Sequence, residues 1–450
     1  MSVDLSAYFD QFLENISLGD PQVPRMDSAA NTISQFLQKS YALPAQNFFL
    51  QGSCPNGTAV EPVAGGEYDL DIVAVCIDGQ TTCNNALTDL EKRFRADGRF
   101  RDRVKRKRPC VRLEYAEDDV GKFHVDVVPV RHSADADCPL DAPRRDEGWH
   151  GTAPAEYTNW CLQQGVYYMR TVKCMKRWRD EQQTVRTAIK SIVLQVLVSQ
   201  CMPQVANDAD RLAGTLRNLY AYLSDLSQPP AVANPVLDRE NLAKRWTMES
   251  CRNFRSELSE AVEWAEKAVA SADAVEAADA WREILGEDFP VLGPDQLGFR
   301  VGDFSHADTP AAMGWRAALD PRFGVTIRAT VQRGKRGQNR RTYLSGSSLI
   351  FAGHKLHFRA QVAAPNHVDV WWQVANTGAH ARQQSGLRGQ IFRGKDLQNL
   401  PTKDQKENWE NTAYTGSHLI RALLVRNNTV VAVSEWFVVN IYSKGNRFRL

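Results

Sequence analysis

A period-two run, Glu67-Tyr-Asp-Leu-Asp-Ile-Val-Ala-Val75, constrains the fold more than any other part of this chain. Read as a strand, it puts Asp69 and Asp71 on one face and Leu70 on the other, giving a sheet with one carboxylate face and one apolar face. A second strand-like run, Phe123-His-Val-Asp-Val-Val-Pro129, carries Asp126 among apolar residues. As a neighbouring strand it would bring a third carboxylate to the same edge. Hard oxygen ligands on a rigid sheet suit divalent cations, here two Mg²⁺ ions about 3.5 to 4 Å apart, the spacing of a two-metal phosphoryl-transfer centre. Ahead of them, Gln51-Gly-Ser-Cys-Pro-Asn-Gly-Thr58 reads as a phosphate-cradling loop. Gly52 lets the backbone approach phosphate oxygens, and the Ser53 hydroxyl hydrogen-bonds one of them. Singly, a Gly-Ser is a turn and an Asp-x-Asp a solvated strand edge; the ordered combination carries the reading.

At 450 residues the chain exceeds one ordinary core and is expected to hold two or three domains. Lys plus Arg at 55 against Asp plus Glu at 53 excludes a generic polyanion binder, so any phosphate site must be local. The nine cysteines form no C-x-x-C pair and no zinc spacing, which fits a reducing cytosol rather than a disulfide or zinc framework. No apolar run approaches a membrane span and Met1-Ser-Val-Asp-Leu5 does not read as a signal peptide, so a soluble, cytoplasmic protein is expected.

The fold class expected is α/β (α+β): a carboxylate-bearing sheet with a helical lobe, then a small β-sandwich. Residues 1–155 hold amino-terminal helices and the carboxylate-bearing strands; residues 156–290 read as a helical lobe, with Trp246, Trp264 and Trp281 along it. Phe-Pro, Gly-Pro, Thr-Pro and Asp-Pro steps between Gly286 and Gly324 mark a linker over 291–324, and short alternating segments over 325–450 predict an antiparallel sandwich.

Downstream of the sheet, Tyr167-Tyr-Met-Arg-Thr-Val-Lys-Cys-Met-Lys-Arg-Trp-Arg179 reads as a helix with Lys173 and Lys176 on one face. They are candidates for holding a triphosphate, with Ser191 as a third contact; a solvated basic face is the alternative. The basic run from Arg99 to Arg108 reads either as a surface for nucleic acid or an acidic partner, or as an exposed hairpin kept soluble by its charge. His132 and His150 read as structural or exposed.

Gly52-Ser53, Gly57-Thr58, Asp69-x-Asp71, Asp126, the Lys-x-x-Lys-x-Trp of 173–178 and the Lys-Ser-x-x-Leu of 190–194 resemble a nucleotidyltransferase of the DNA polymerase beta kind. More closely, they resemble the oligoadenylate synthase and cyclic GMP-AMP synthase superfamily and its bacterial SMODS or CD-NTase branch. Asn234-Pro-Val236, Trp246 and Trp281-Arg-Glu-Ile-Leu-Gly-Glu-Asp-Phe-Pro290 are similar to that branch's helical lobe. Trp372-Gln-Val-Ala-Asn-Thr-Gly378, Leu387-Arg-Gly389 and Thr412-Ala-Tyr-Thr-Gly416 resemble the adenylyl/guanylyl and SMODS C-terminal sensor domain, an immunoglobulin-like sandwich. Asn376 and Arg388 are its candidate ligand residues.

The resemblance implies synthesis of a cyclic di- or trinucleotide from ribonucleoside triphosphates, with Asp69, Asp71 and Asp126 both catalytic and holding two Mg²⁺ or Mn²⁺ ions. It implies as partners an effector that binds the product in anti-phage defence, and a regulatory protein. The metal-binding Cys/His insertion of the animal DNA sensor has no counterpart, so direct activation by duplex DNA is not expected. A terminus reading Asn446-Arg-Phe-Arg-Leu450 argues against conjugation through a small terminal residue. The competing readings are a template-independent polymerase or protein-nucleotidylating toxin and, outside enzymes, a nucleotide-sensing pseudoenzyme.

Overall fold

Contacts divide the chain after Pro290 into two units, each described by itself. The computed structural model describes residues 3–442 apart from 20–21, 64–65, 79, 118–120, 145–147, 183, 292, 294–298, 334–338, 397 and 399. The terminus at Asn446–Leu450 lies outside the described residues.

In the first unit, helices α1 (Ser6–Asn15) and α2 (Gln22–Tyr41) lead into β1 (Phe48–Gln51) and β2 (Glu67–Val75). Helix α3 (Cys83–Ala96) then connects to β3 (Val104–Arg106), β4 (Val111–Glu114) and β5 (Lys122–His132), and a hairpin of β6 (Leu140–Arg144) and β7 (Gly148–Thr152) follows. The strand order is β1-β2-β5-β4-β3, with β6 and β7 extending from β5. Strands β2 and β5 run parallel. Their alternation is explained by what lies beneath: Leu70 and Ile72 of β2 and Phe123, Val125 and Val127 of β5 are buried against Met26, Ile33 and Leu37 of α2 and Leu87, Leu90 and Phe94 of α3. Each such apolar side chain contributes about 1.5 to 3 kcal/mol, enough to dictate which face of the sheet the aspartates must take.

A helical lobe completes the unit: α4 (Pro154–Gln163), α5 (Gly165–Glu181), α6 (Ser191–Cys201) and α7 (Asp208–Ser224), a hairpin of β8 (Ala233–Asn234) and β9 (Leu237–Asn241), then α8 (Met248–Ala270) and α9 (Ala274–Leu285). Side-chain caps fix several starts: Asn207 accepts from Asp210 N, Thr247 from Ser250 N, and Asp273 from Val275 N and Glu276 N. Trp178 meets Phe254 edge-on at 5.2 Å, and Trp281 meets Phe9 of α1 at the same centroid distance, which ties the amino-terminal helix to the lobe. The β8–β9 hairpin interrupts a stretch expected to be helical; the Asn234-Pro235 step is the signal for it, since the residue before a proline is pushed out of the helical region.

The second unit contains β10 (Arg316–Ala317), β11 (Gly324–Arg333), β12 (Asn339–Tyr343), β13 (Leu349–Phe351), β14 (Lys355–Ala363), β15 (Asp369–Ala375), α10 (Gly378–Gln383), β16 (Ile391–Phe392), β17 (Glu407–Asn411), β18 (Gly416–Arg426), β19 (Thr429–Val433) and β20 (Phe437–Tyr442). A four-stranded sheet, β12-β11-β14-β17, faces a sheet built on β10-β19-β18-β15-β16 with β20 and β13 beside β18. Leu356 and Phe358 of the first share one core with Trp372, Ile420 and Ile441 of the second, so the unit is a sandwich. It is not purely antiparallel: β10 pairs with β19, and β13 with β20, in parallel. Described residues of the proline-rich 291–324 stretch are fastened to it, with Gly302 N donating to Thr377 Oγ1 and Asp308 N to Gly389 O.

Candidate active site

The register of three strands lines up the acidic face. Asp71 of β2 lies directly opposite Asp126 of β5, Asp69 lies opposite His124, and on the other side of β5 Arg112 of β4 lies opposite Asp126. Arg112 grips Asp126 as a fork, Nε to Oδ1 at 2.8 Å and Nη2 to Oδ2 at 2.9 Å. Burial, and after it the neighbouring carboxylates of Asp69 and Asp126, push the Asp71 pKa up to about 7, against the opposing pull of Arg112. An acidic cluster that cannot discharge itself except by taking up a proton is the kind of site a divalent cation relieves, so the donor chemistry suits a divalent metal. As placed, no three His, Cys, Asp or Glu groups among the described residues are close enough together to hold an ion.

Strand β1 delivers the phosphate loop. Gln51 pairs with Asp71, so Gly52 emerges beside that carboxylate. Its φ of +85° favours glycine, and a Cβ there would lie 2.8 Å from Asp71 Oδ2, so any side chain would have to displace that carboxylate. The loop closes through Thr58 N donating to Ser53 O at 2.9 Å. The helical lobe then braces it: Lys176 Nζ donates to Thr58 O at 2.8 Å, Gln195 Nε2 to Thr58 Oγ1 at 3.2 Å, and Thr158 Oγ1 to Asn56 Oδ1 at 2.7 Å. Tyr157 OH in turn donates to Gln195 Oε1 at 3.1 Å.

Gly52, Ser53, Asp69, Asp71, Lys176 and Ser191 line one cleft of about 410 Å³. That volume lies within the range of small-ligand sites. Burial lowers the Lys176 pKa to about 8. Ser191 opens α6, where its Oγ accepts from Arg179 Nη1 at 3.1 Å. Asp126 and Lys173 are not among the lining residues. Asp126 is turned to Arg112, and Lys173 Nζ donates to Ser17 Oγ at 3.1 Å.

The cleft also takes residues that sequence reasoning missed: Arg144 of β6, and Asn234 and Glu240 of the β8–β9 hairpin. Arg144 pairs with Glu240, and Asn234 Nδ2 donates to Glu240 Oε2 at 2.8 Å. Gln195 did have a signal, being the one polar residue in Ile192-Val-Leu-Gln-Val-Leu-Val198. The basic run spans a 3₁₀ turn at Arg101–Arg103 and the edge strand β3: Arg106 pairs with Glu91, and Arg103 lies over the Tyr115 ring at 4.8 Å. Charge on an edge strand discourages further strand pairing, which gives the run a structural reason of its own.

In the second unit, Asn376 and Arg388 line one cavity of about 240 Å³ between the two sheets. Arg388 Nη1 donates to Glu410 Oε2 at 2.9 Å, Lys395 Nζ lies 3.5 Å from the same oxygen, and Asn376 Nδ2 donates to Gly386 O at 2.9 Å. His418 at its wall has its pKa lowered to about 4 by burial, so it is neutral.

A carboxylate row on a mixed sheet, a glycine-started loop beside it and a bracing helical lobe define a nucleotidyltransferase. Residues 1–164 match the Second Messenger Oligonucleotide or Dinucleotide Synthetase domain, and residues 304–442 match the Adenylyl/Guanylyl and SMODS C-terminal sensor domain. The chain belongs to the bacterial CD-NTase family. It is 24% identical over 373 residues, 69% of its length and 98% of the relative's, to a probable cyclic AMP-AMP-GMP nucleotide synthase of Salmonella paratyphi B. In fold it is similar to the Bradyrhizobium diazoefficiens CD-NTase CdnG, solved in complex with GTP, at a TM-score of 0.51 and 18% identity over 62% of this chain and 95% of that one. It is likewise similar to CdnC of E. coli MS115-1, solved as a CdnC:HORMA-deltaN complex, at a TM-score of 0.51 and 15% identity over 64% of this chain and 99% of that one. Among the described residues no helix is long and apolar enough to cross a membrane.

Proposed function

We propose that the cleft between sheet and helical lobe binds ribonucleoside triphosphates and that Asp69, Asp71 and Asp126 hold two Mg²⁺ ions there. The chain is a cyclic oligonucleotide synthase, making a second messenger. A ribose hydroxyl of one nucleotide attacks the α-phosphorus of another; a new P–O ester bond forms, the bond to the bridging oxygen breaks, and pyrophosphate leaves with the electron pair. When bound, the two cations lower the pKa of the attacking hydroxyl and neutralise the leaving phosphates. Asp69 and Asp71 line the cleft that would take the triphosphate, and Asp126, outside that lining but level with Asp71, would hold the ion beside the attacking hydroxyl and help accept its proton. Gly52 and Ser53 present the loop to phosphate oxygens, and Ser191 offers a further hydroxyl. Lys176, buried and braced on the Thr58 carbonyl, places a cation beneath that loop. Lys173 would join only by turning away from Ser17. A second use of the same site closes the ring.

The observation that carries this reading is the register Asp71 opposite Asp126 with Gly52 beside Asp71. The sandwich cavity around Asn376 and Arg388 is proposed as a small-ligand site, the product as the signal to a separate effector in anti-phage defence, and a regulatory protein as a further partner, as in the CdnC:HORMA-deltaN complex. The test is incubation with radiolabelled ribonucleotides and Mg²⁺ or Mn²⁺, then phosphatase and chromatography. A phosphatase-resistant product absent with D69A/D71A supports the reading. Long phosphatase-sensitive chains would favour a polymerase, and no nucleotide consumption with infected-cell extract added would sink the proposal.

A further inference from the structure

The fork on Asp126 was not foreseen from the sequence, and the proposed reaction does not use it. Arg112 sits in an alternating strand, Val111-Arg-Leu-Glu114, whose Val111 and Leu113 are buried in the core under the sheet, so the arginine must rise from the same face as the aspartates. The antiparallel β4–β5 register places it level with Asp126, and the parallel β2–β5 register places Asp71 level on the far side. Arg112, Asp126 and Asp71 therefore form one row across three neighbouring strands. The side chains of Arg112 and Asp126 are only 23% and 15% exposed, and among the described residues the guanidinium directs its hydrogen bonds to Asp126.

A bidentate guanidinium does two things to a carboxylate. It fixes the plane and rotation of both oxygens, which a single donor cannot do. It also adds to the positive charge that Lys176 brings to the three clustered carboxylates, charge a metal would otherwise supply. These effects pull in opposite directions: orientation favours the reaction, whereas a resident cation weakens the attraction for an incoming one. We infer that Arg112 is a positioning residue that holds Asp126 in its working orientation and, in doing so, tempers the affinity of the carboxylate row for divalent metal. This rests on the reading of Asp69, Asp71 and Asp126 as metal ligands.

The prediction has a signature that a mere structural brace would not give. In Arg112→Met, Mn²⁺ binding followed without nucleotide by electron paramagnetic resonance tightens about tenfold, while turnover at saturating Mn²⁺ falls at least about tenfold. Arg112→Lys keeps the charge and loses the fork, so it binds Mn²⁺ within about twofold of the wild type yet turns over slowly. Unchanged turnover in either variant overturns the inference, as does weaker Mn²⁺ binding in Arg112→Met. If Arg112→Met does not fold, Arg112→Lys alone decides, because unchanged Mn²⁺ affinity with lowered turnover is the required pair. Wild-type protein that takes up no more Mn²⁺ than D69A/D71A would remove the metal-site reading itself, a result distinct from every outcome assigned to the arginine.

Discussion

Asp71→Asn should stabilise the metal-free protein while abolishing its chemistry. Burial and the Asp69 and Asp126 carboxylates raise the folded-state pKa of Asp71 from 3.8 to about 7. A carboxyl with a raised folded pKa holds its proton more tightly in the native state than in the unfolded one. Its contribution to stability is therefore fully present below about pH 4 and is lost as pH rises through about 7. The interval between 3.8 and about 7, at about 1.4 kcal/mol per unit, sets a ceiling near 4 kcal/mol for the charged group at pH 8. An asparagine has the same shape and no charge but keeps the cost of burying an amide, so a net gain of about 2 kcal/mol is expected. The assay is urea unfolding of both proteins in EDTA from pH 4 to 8. The variant should be the less stable of the two by about 2 kcal/mol near pH 4, the curves should cross between pH 5 and 7, and the variant should lead by about 2 kcal/mol at pH 8. Adding Mg²⁺ at pH 8 should stabilise the wild type and leave the variant nearly unmoved. An Asp71→Asn protein no more stable than wild type at pH 8 in EDTA would refute the idea that this sheet face is electrostatically strained and awaits a cation.

Gly52→Ala forces a side chain into a φ of +85° with its Cβ 2.8 Å from Asp71 Oδ2; about 1 kcal/mol of stability and about 100-fold of turnover should be lost, read by thermal unfolding and product formation. The two lysines of α5 should separate cleanly. Lys176→Ala leaves the Thr58 carbonyl without its donor and should cost about 2 kcal/mol with a markedly raised KM for ATP, whereas Lys173→Ala, losing only Ser17, should leave that KM within about twofold. In the sandwich, Trp372→Ala removes a fully buried ring whose indole N–H donates to Gln405 O at 3.1 Å, and unfolding of that unit should become easier by about 3 to 5 kcal/mol.

The alternation around Asp69 and Asp71 was legible because a strand with one buried face leaves its carboxylates a single side to occupy, and Gly52 was legible because few residues tolerate that turn. The carboxylate-bearing strands, the helical lobe and the β-rich tail followed from the periodicity of apolar residues, which is a local property, whereas the parallel pairing of β2 with β5 did not. The β8–β9 hairpin was lost inside a helical composition, marked only by Asn234-Pro235. Lys173 and Lys176 show where local reasoning stops: spacing places both on one side of α5, yet one ends on Ser17 and the other on Thr58, because what each meets is decided by elements more than a hundred residues away. Arg112, Arg144, Gln195 and Glu240 acquire meaning only through strand register and lobe packing. The sequence by itself thus determined which residues could do the chemistry and which face of the strand they share. The tertiary structure alone decided how deeply Asp71 is buried, which arginine grips Asp126 and what braces the loop, since charge, desolvation and hydrogen-bond geometry depend on neighbours that only folding supplies.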